Sequence, residues 1–156
     1  PRALGHRSIL FDSRNKNCKN IVNKIKNREW YRPFAGVILK EKFKKYFNTL
    51  GLEESTNMTI NFKCKKNIEK LFPGVIHVDN SCRVQTVSSG FLYDLLKEFN
   101  KLTKCPILLN TSLNLAGEPL VNTKEETILL FNKSKLDAIY FVDEKKLIQK
   151  EKYESK

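Results

Sequence analysis

The stretch that most constrains this chain runs from Pro106 to Pro119, Pro-Ile-Leu-Leu-Asn-Thr-Ser-Leu-Asn-Leu-Ala-Gly-Glu-Pro. A proline opens three large apolar residues, Ile107, Leu108 and Leu109, a run short enough for a strand buried on both faces. The character then changes within one residue. Asn110, Thr111, Ser112 and Asn114 bring amides and hydroxyls where the strand should end, and Gly117 with Pro119 closes the turn. In open α/β sheets ligands collect beyond strand ends, where backbone and short polar side chains converge. Asn, Ser and Gly are also ordinary turn formers, so this stretch alone leaves a binding loop and a plain turn both open.

The rest of the pattern supplies partners for that strand. Apolar residues at Cys18, Ile21, Val22 and Ile25 predict an amphipathic helix over 13–26. Asn27 to Pro33 follows as a dense loop, and Phe34 to Leu39 reads as a buried strand. Lys42 to Phe47 fits a helical turn ended by Gly51. Met58 to Cys64 alternates like a half-exposed strand. Val75 to Asp79 and Arg83 to Val87 read as two strands of a hairpin through Asn80-Ser81-Cys82. Leu92, Leu95, Leu96 and Phe99 place a helix over 90–102. Thr123-Lys124-Glu125-Glu126 has capping-box spacing, so a helix runs from there to about Asn132. Ala138 to Val142 is a last strand, and a charged tail that frays follows from Asp143. Strands interspersed with helices predict an α/β or α+β domain with a mixed sheet.

At 156 residues the chain suits one domain. Its first residues, Pro1-Arg2-Ala3-Leu4-Gly5-His6-Arg7, read as the middle of a longer protein of which this is a C-terminal piece. No window approaches the roughly 18 apolar residues of a membrane span. The formal charge of +12 calls for an anionic partner or reflects a lysine-rich surface. Scattered Lys without aromatic or Gly interleaving makes nucleic acid the minority reading. Arginine is scarcer, at Arg2, Arg7, Arg14, Arg28, Arg32 and Arg83, and a planar guanidinium grips phosphate or carboxylate with two bonds. Cys18, Cys64, Cys82 and Cys105 form no C-x-x-C pair, and His6 and His77 are the two histidines. Free thiols in a reducing compartment are expected, and no metal site in this piece.

Lys26, Arg28 and Arg32 crowd around Trp30 and Tyr31, which is costly unless an anion or carboxylates offset the charge. Phosphate binding is one reading; pairing with Glu29 and a core position for Trp30 is the other. Arg83 opens a strand after His77-x-Asp79, and Asn110 and Ser112 end the core strand. Together they outline a cationic pocket with neutral hydrogen-bonding groups, suited to a phosphate plus a planar amide or base. No Walker loop and no G-x-G-x-x-G is present. His77, Asp79 and Ser112 make a poor nucleophilic triad, since nothing in the sequence activates Ser112.

Pro-Arg-Ala-Leu-Gly-His-Arg-Ser-Ile-Leu from Pro1, Lys-x-Arg-Glu-Trp-Tyr-Arg-Pro-Phe-Ala from Lys26, His77-Val-Asp, Arg-Val-Gln-Thr-Val from Arg83 and Leu-Leu-Asn-Thr-Ser-Leu-Asn-x-x-Gly-Glu-Pro from Leu108 resemble the C-terminal part of the O-carbamoyltransferases. That is the family of nodulation-factor and antibiotic carbamoyltransferases. The resemblance implies a YrdC-like twisted mixed β-sheet flanked by helices over residues 13–143. Residues 1–12 would be a junction motif from an N-terminal actin-like ATPase-fold domain, and 144–156 a charged tail. It implies a cytoplasmic enzyme in which this domain makes carbamoyl adenylate from carbamoyl phosphate and ATP. The N-terminal domain would then pass the carbamoyl group to a small-molecule hydroxyl acceptor.

Lys26, Arg32 and Arg83 would do the charge work. Arg28, Asn110 and Ser112 would join them in binding, with Arg2 and Arg7 facing the other domain. Mg2+ would arrive with the nucleotide, and a further metal ion would belong to the N-terminal domain. Gly36, where the family pattern leads to an expectation of proline or a similar residue, and the short lysine-rich Gly51–Phe72 segment depart from the resemblance. A basic YrdC-type RNA-binding module and a non-catalytic interaction domain are the alternatives.

Overall fold

The apolar run Ala35–Leu39 forms β2, buried at all five residues, and it occupies the centre of the sheet because both faces must be covered. The computed structural model describes residues 3–150. Around β2 lie β1 (Ser8–Asp12), β3 (Asn61–Lys63), β4 (Ser81–Val87) and β5 (Ile107–Ser112), in the order β1-β5-β2-β4-β3. β2 and β4 run parallel, and the other pairings are antiparallel. The fold is therefore α+β with a mixed sheet. The helices are α1 (Cys18–Lys26), α2 (Lys40–Tyr46), α3 (Ile68–Leu71), α4 (Phe91–Thr103) and α5 (Lys124–Lys133). β6 (Ala138–Phe141) and β7 (Lys146–Gln149) form a separate antiparallel pair.

Two cores follow from the alternation of β2. Ile38 packs with Ile107, Leu109, Val84 and residues of α1, α2, α3 and α5 on one face. Val37, Leu39 and Leu108 meet Leu92 and Leu96 of α4 on the other. Gly36 faces the first core, where a Cβ would stand 2.7 Å from Ile107 Cδ1 and 3.3 Å from Cys82 Sγ. Close packing thus accounts for glycine where the resemblance led to a larger residue. A proline there would also remove an N–H from a central strand.

Several boundaries differ from the sequence pattern. Val75 to Asp79 is not a strand, and the expected hairpin is absent. Asn80 adopts a left-handed φ of 56°, and Asp79 accepts hydrogen bonds from the backbone N–H and hydroxyl of Ser81. Together they turn the chain into β4, leaving Val78 fully exposed. Met58, at φ 55°, likewise prevents a strand from starting there, so β3 keeps three residues. α1 begins at Cys18 rather than Ser13, because Asn15 and Asn17 engage local backbone first. The Ser13 hydroxyl instead donates to Ile107 O.

Residues 8–12, read from sequence as junction, supply an edge strand of the main sheet. Residues 146–149, read as fraying tail, pair as β7. Thr123 caps α5 with the full reciprocal box that the spacing predicted. Pro1 and Arg2 and residues 151–156 lie outside the described residues.

Candidate functional site

The register of the three central strands brings the polar ends together. Ala35 of β2 lies opposite Arg83 of β4 on one side and Asn110 of β5 on the other. Opposed residues share a sheet face, so Arg83 and Asn110 flank the small Ala35 on the face that α4 covers further along. Gln85, two residues on from Arg83, falls on that same face. Beyond α4 this end of the sheet opens into a cavity of about 310 Å³. Arg28, Arg83, Asn110, Ser112 and Asn114 supply its polar walls, and Met58 and Leu120 are among its apolar ones.

Arg28 reaches the cavity from the loop after α1. Asn27 ends that helix in a left-handed conformation, φ 52°, and donates its backbone N–H to Asn23 O and Lys24 O. Asn23, almost fully buried, fixes the loop from beneath. Its Oδ1 accepts from Arg28 Nε at 2.7 Å, and its Nδ2 donates to Trp30 O. The Arg28 guanidinium lies 4.3 Å from the centroid of the Phe34 ring. Burial, then the like charges of Arg32 and Arg83, pull Arg28 below the usual arginine pKa, and Glu29 opposes them. Guanidiniums gathered this way attract an anion.

Lys26 reaches the strand end from the opposite face. Its Nζ donates to Ser112 O and Oγ and to Asn114 O and Oδ1, and its own carbonyl accepts from Ala116 N. Burial, then the charge of Arg28, pulls its pKa down to about 8. Ser112 Oγ spends its proton on Asn114 Oδ1, and Asn114 Nδ2 donates to Glu118 O. Lys26 therefore clamps the loop after β5, and Ser112 is engaged in holding that loop.

Two buried polar atoms at the cavity have no hydrogen-bond partner among the described residues, Arg83 Nε and Asn110 Oδ1. One is a donor and the other an acceptor, and each is costly to leave unpaired. They leave this cavity with one donor and one acceptor free to bond.

Of the residues singled out from sequence, the structure gathers Arg28, Arg83, Asn110 and Ser112 around the cavity, with Lys26 behind the loop. Arg32 is not in the cavity wall; it is exposed and paired with Glu29 at 2.7 Å. Trp30 is 76% exposed and Tyr31 65%, so the core position weighed for Trp30 does not hold. Arg7 is tied to Val121 O and Asn122 Oδ1. His77 bonds Phe34 O and Ser81 Oγ, while Asp79 is exposed and paired with Lys63. Asp79 is held down to about 2, first by Ser81 and then by Lys63. Asn23 and Gln85 were not singled out from sequence, and Asn114 was read only as part of the polar stretch that ends the core strand; a polar residue in a helix or strand looks the same whether it faces water or a neighbour. Among the described residues no group of three or more His, Cys, Asp or Glu converges. No helix among them is long and apolar enough to cross a membrane.

Comparison with known proteins joins this geometry to a family. A family model described as the carbamoyltransferase C-terminus matches residues 1–150. The chain is 38% identical over 159 residues to an uncharacterised protein of Synechocystis sp., covering 88% of this chain and 26% of that protein. It is 38% identical over 144 residues to nodulation protein NolNO of Sinorhizobium fredii, covering 89% and 21%. It is 37% identical over 144 residues to nodulation protein NolO of Bradyrhizobium diazoefficiens, covering 89% and 26%. The chain thus spans about a quarter of the length of these relatives. It belongs to the carbamoyltransferase C-terminus family.

Proposed function

We propose that this chain is the part of a carbamoyltransferase that forms carbamoyl adenylate from carbamoyl phosphate and ATP, and that an N-terminal domain passes the carbamoyl group to a small-molecule hydroxyl. The observation that carries the reading is the pair of unpartnered buried atoms. Arg83 Nε offers a donor to a phosphoryl oxygen, and Asn110 Oδ1 offers an acceptor to a carbamoyl N–H. Both belong to one cavity, with Arg28 in its wall.

Two strongly anionic substrates repel each other, and fixed guanidiniums offset that repulsion without reorganising. In a balanced route, water releases phosphate from carbamoyl phosphate to leave carbamate. A carbamate oxygen then bonds the α-phosphorus of ATP as pyrophosphate departs. The residues here act by positioning and charge stabilisation, with Lys26 keeping the Ser112–Asn114 loop in place. Magnesium on the nucleotide would neutralise phosphate charge; the guanidinium, amide and hydroxyl groups of this cavity suit phosphate oxygens rather than a metal cage. Four free thiols suit a reducing, cytoplasmic compartment.

Isothermal titration of the chain with ATP and magnesium, with and without carbamoyl phosphate, tests the reading. Saturable binding is expected, and Arg83→Ala, shown folded by circular dichroism, is expected to abolish it. Wild type that binds neither compound, or Arg83→Ala that binds as wild type does, would overturn it.

A further inference from the structure

Asn110 does not choose its own orientation. Its Nδ2 donates to Gln85 Oε1 at 2.8 Å and to Ala3 O at 3.2 Å, which uses both amide protons. Gln85 Nε2 in turn donates to Leu4 O at 2.9 Å. Backbone carbonyls accept and never donate, so each end of this chain of bonds has a fixed sense. Leu4 O requires the NH2 of Gln85 on its side, which turns Gln85 Oε1 toward Asn110. Gln85 Oε1 and Ala3 O then both require the NH2 of Asn110. Only Oδ1 remains for the cavity, buried and without a partner among the described residues. Gln85 and Asn110 are themselves 4% and 1% exposed, so water does not compete for the arrangement.

We infer that Gln85 is a positioning residue that makes this site selective for carbamoyl over other acyl phosphates. Through Gln85 the segment Ala3–Leu4 commits Asn110 to present an acceptor, so the ligand must bring an N–H donor there and an oxygen to Arg83 Nε. Carbamoyl phosphate carries both. Acetyl phosphate has nearly the same shape and the same phosphate, but it places a methyl group where the donor is needed and leaves Asn110 Oδ1 buried and unpaired. This inference rests on the carbamoyl-adenylate reading and gives its selectivity a cause.

The test is competitive titration of the full chain with carbamoyl phosphate and with acetyl phosphate, read as the ratio of the two dissociation constants. Charge introduced at position 85 acts on both phosphates alike and cancels in that ratio. Wild type is expected to favour carbamoyl phosphate by roughly 10- to 100-fold, the range for leaving a buried acceptor unpaired. Gln85→Glu keeps an acceptor toward Asn110 and is expected to keep the preference. Gln85→Lys offers donors alone, and its charged donor against Asn110 outweighs the longer 3.2 Å bond to Ala3 O, so it turns the amide and is expected to bring the ratio near one.

A second measurement needs no variant. Both side-chain amide protons of Asn110 are expected to exchange slowly by NMR in the free protein, and rapid exchange would overturn the fixed orientation. Equal binding of the two acyl phosphates by wild type would overturn the selectivity and leave the proposed function standing. Preference retained in folded Gln85→Lys would overturn the role of Gln85. Binding of neither compound would overturn the proposed function and this inference together.

Discussion

Lys26 places an ammonium group in a site only 2% exposed, and that burial has a measurable pH signature. Burial lowers its pKa from 10.5 to about 8. Between those two pH values the unfolded chain holds more protons than the folded chain, so losing protons favours folding and stability rises with pH. With these two values, the linkage relation gives a gain of about 2 kcal/mol between pH 7 and 9.5. The four oxygens that accept from Nζ hold the ammonium form and make this an upper limit. Other lysines and tyrosines titrate in the same range, so the quantity to measure is a difference. Urea unfolding of wild type and Lys26→Met, from pH 7 to 9.5, removes the shared background. Wild type is expected to gain stability relative to Lys26→Met as pH rises. A flat difference, or one that falls with pH, would refute the reasoning, because the oxygens would then outweigh the burial.

Three other outcomes follow from the packing and the caps. Gly36→Ala forces a methyl against Ile107 and Cys82, and a loss of about 1–3 kcal/mol is expected in urea unfolding. Thr123→Ala removes the side-chain half of the α5 capping box and is expected to cost about 1 kcal/mol by the same assay. Burial first of all pushes Cys18 up to about 12 and Cys64 up to about 11, and it raises Cys82 as well. Iodoacetamide at pH 8 should therefore label these thiols slowly in the native protein and fast in urea. Prompt labelling of native Cys82 would contradict the core.

What could be read from sequence was what periodicity and spacing report. Leu92, Leu96 and Phe99 announced α4, and Thr123 with Glu126 announced the start of α5. Patterns that depend on a single backbone turn were not legible. His77-Val78-Asp79 alternates like a strand, yet the left-handed Asn80 and the Asp79–Ser81 bonds make it a turn. β7 carries too little apolar surface to signal itself, and three of its four residues are exposed. At the site, Arg83 and Asn110 stood out because a charge and an amide at strand ends are conspicuous. Gln85 did not, since Arg-Val-Gln-Thr-Val alternates in either setting and only the register shows which neighbour it meets. Arg28 and Arg32 are indistinguishable by spacing; Asn23 beneath one and Glu29 beside the other separate them.

The pairing of β1 with β5 sets when this site can exist. Asn110 and Ala3 are 107 residues apart in the chain, and β2 and β4 must also find each other in parallel across the segment between them. Closing such loops is entropically expensive until late contacts reward it. The cavity is therefore assembled among the last events of folding, when nearly all of the chain is available. A chain stopped short of β5 would hold Arg28 and Arg83 with no Asn110 opposite them, and binding competence would arrive in one step with the closing strand.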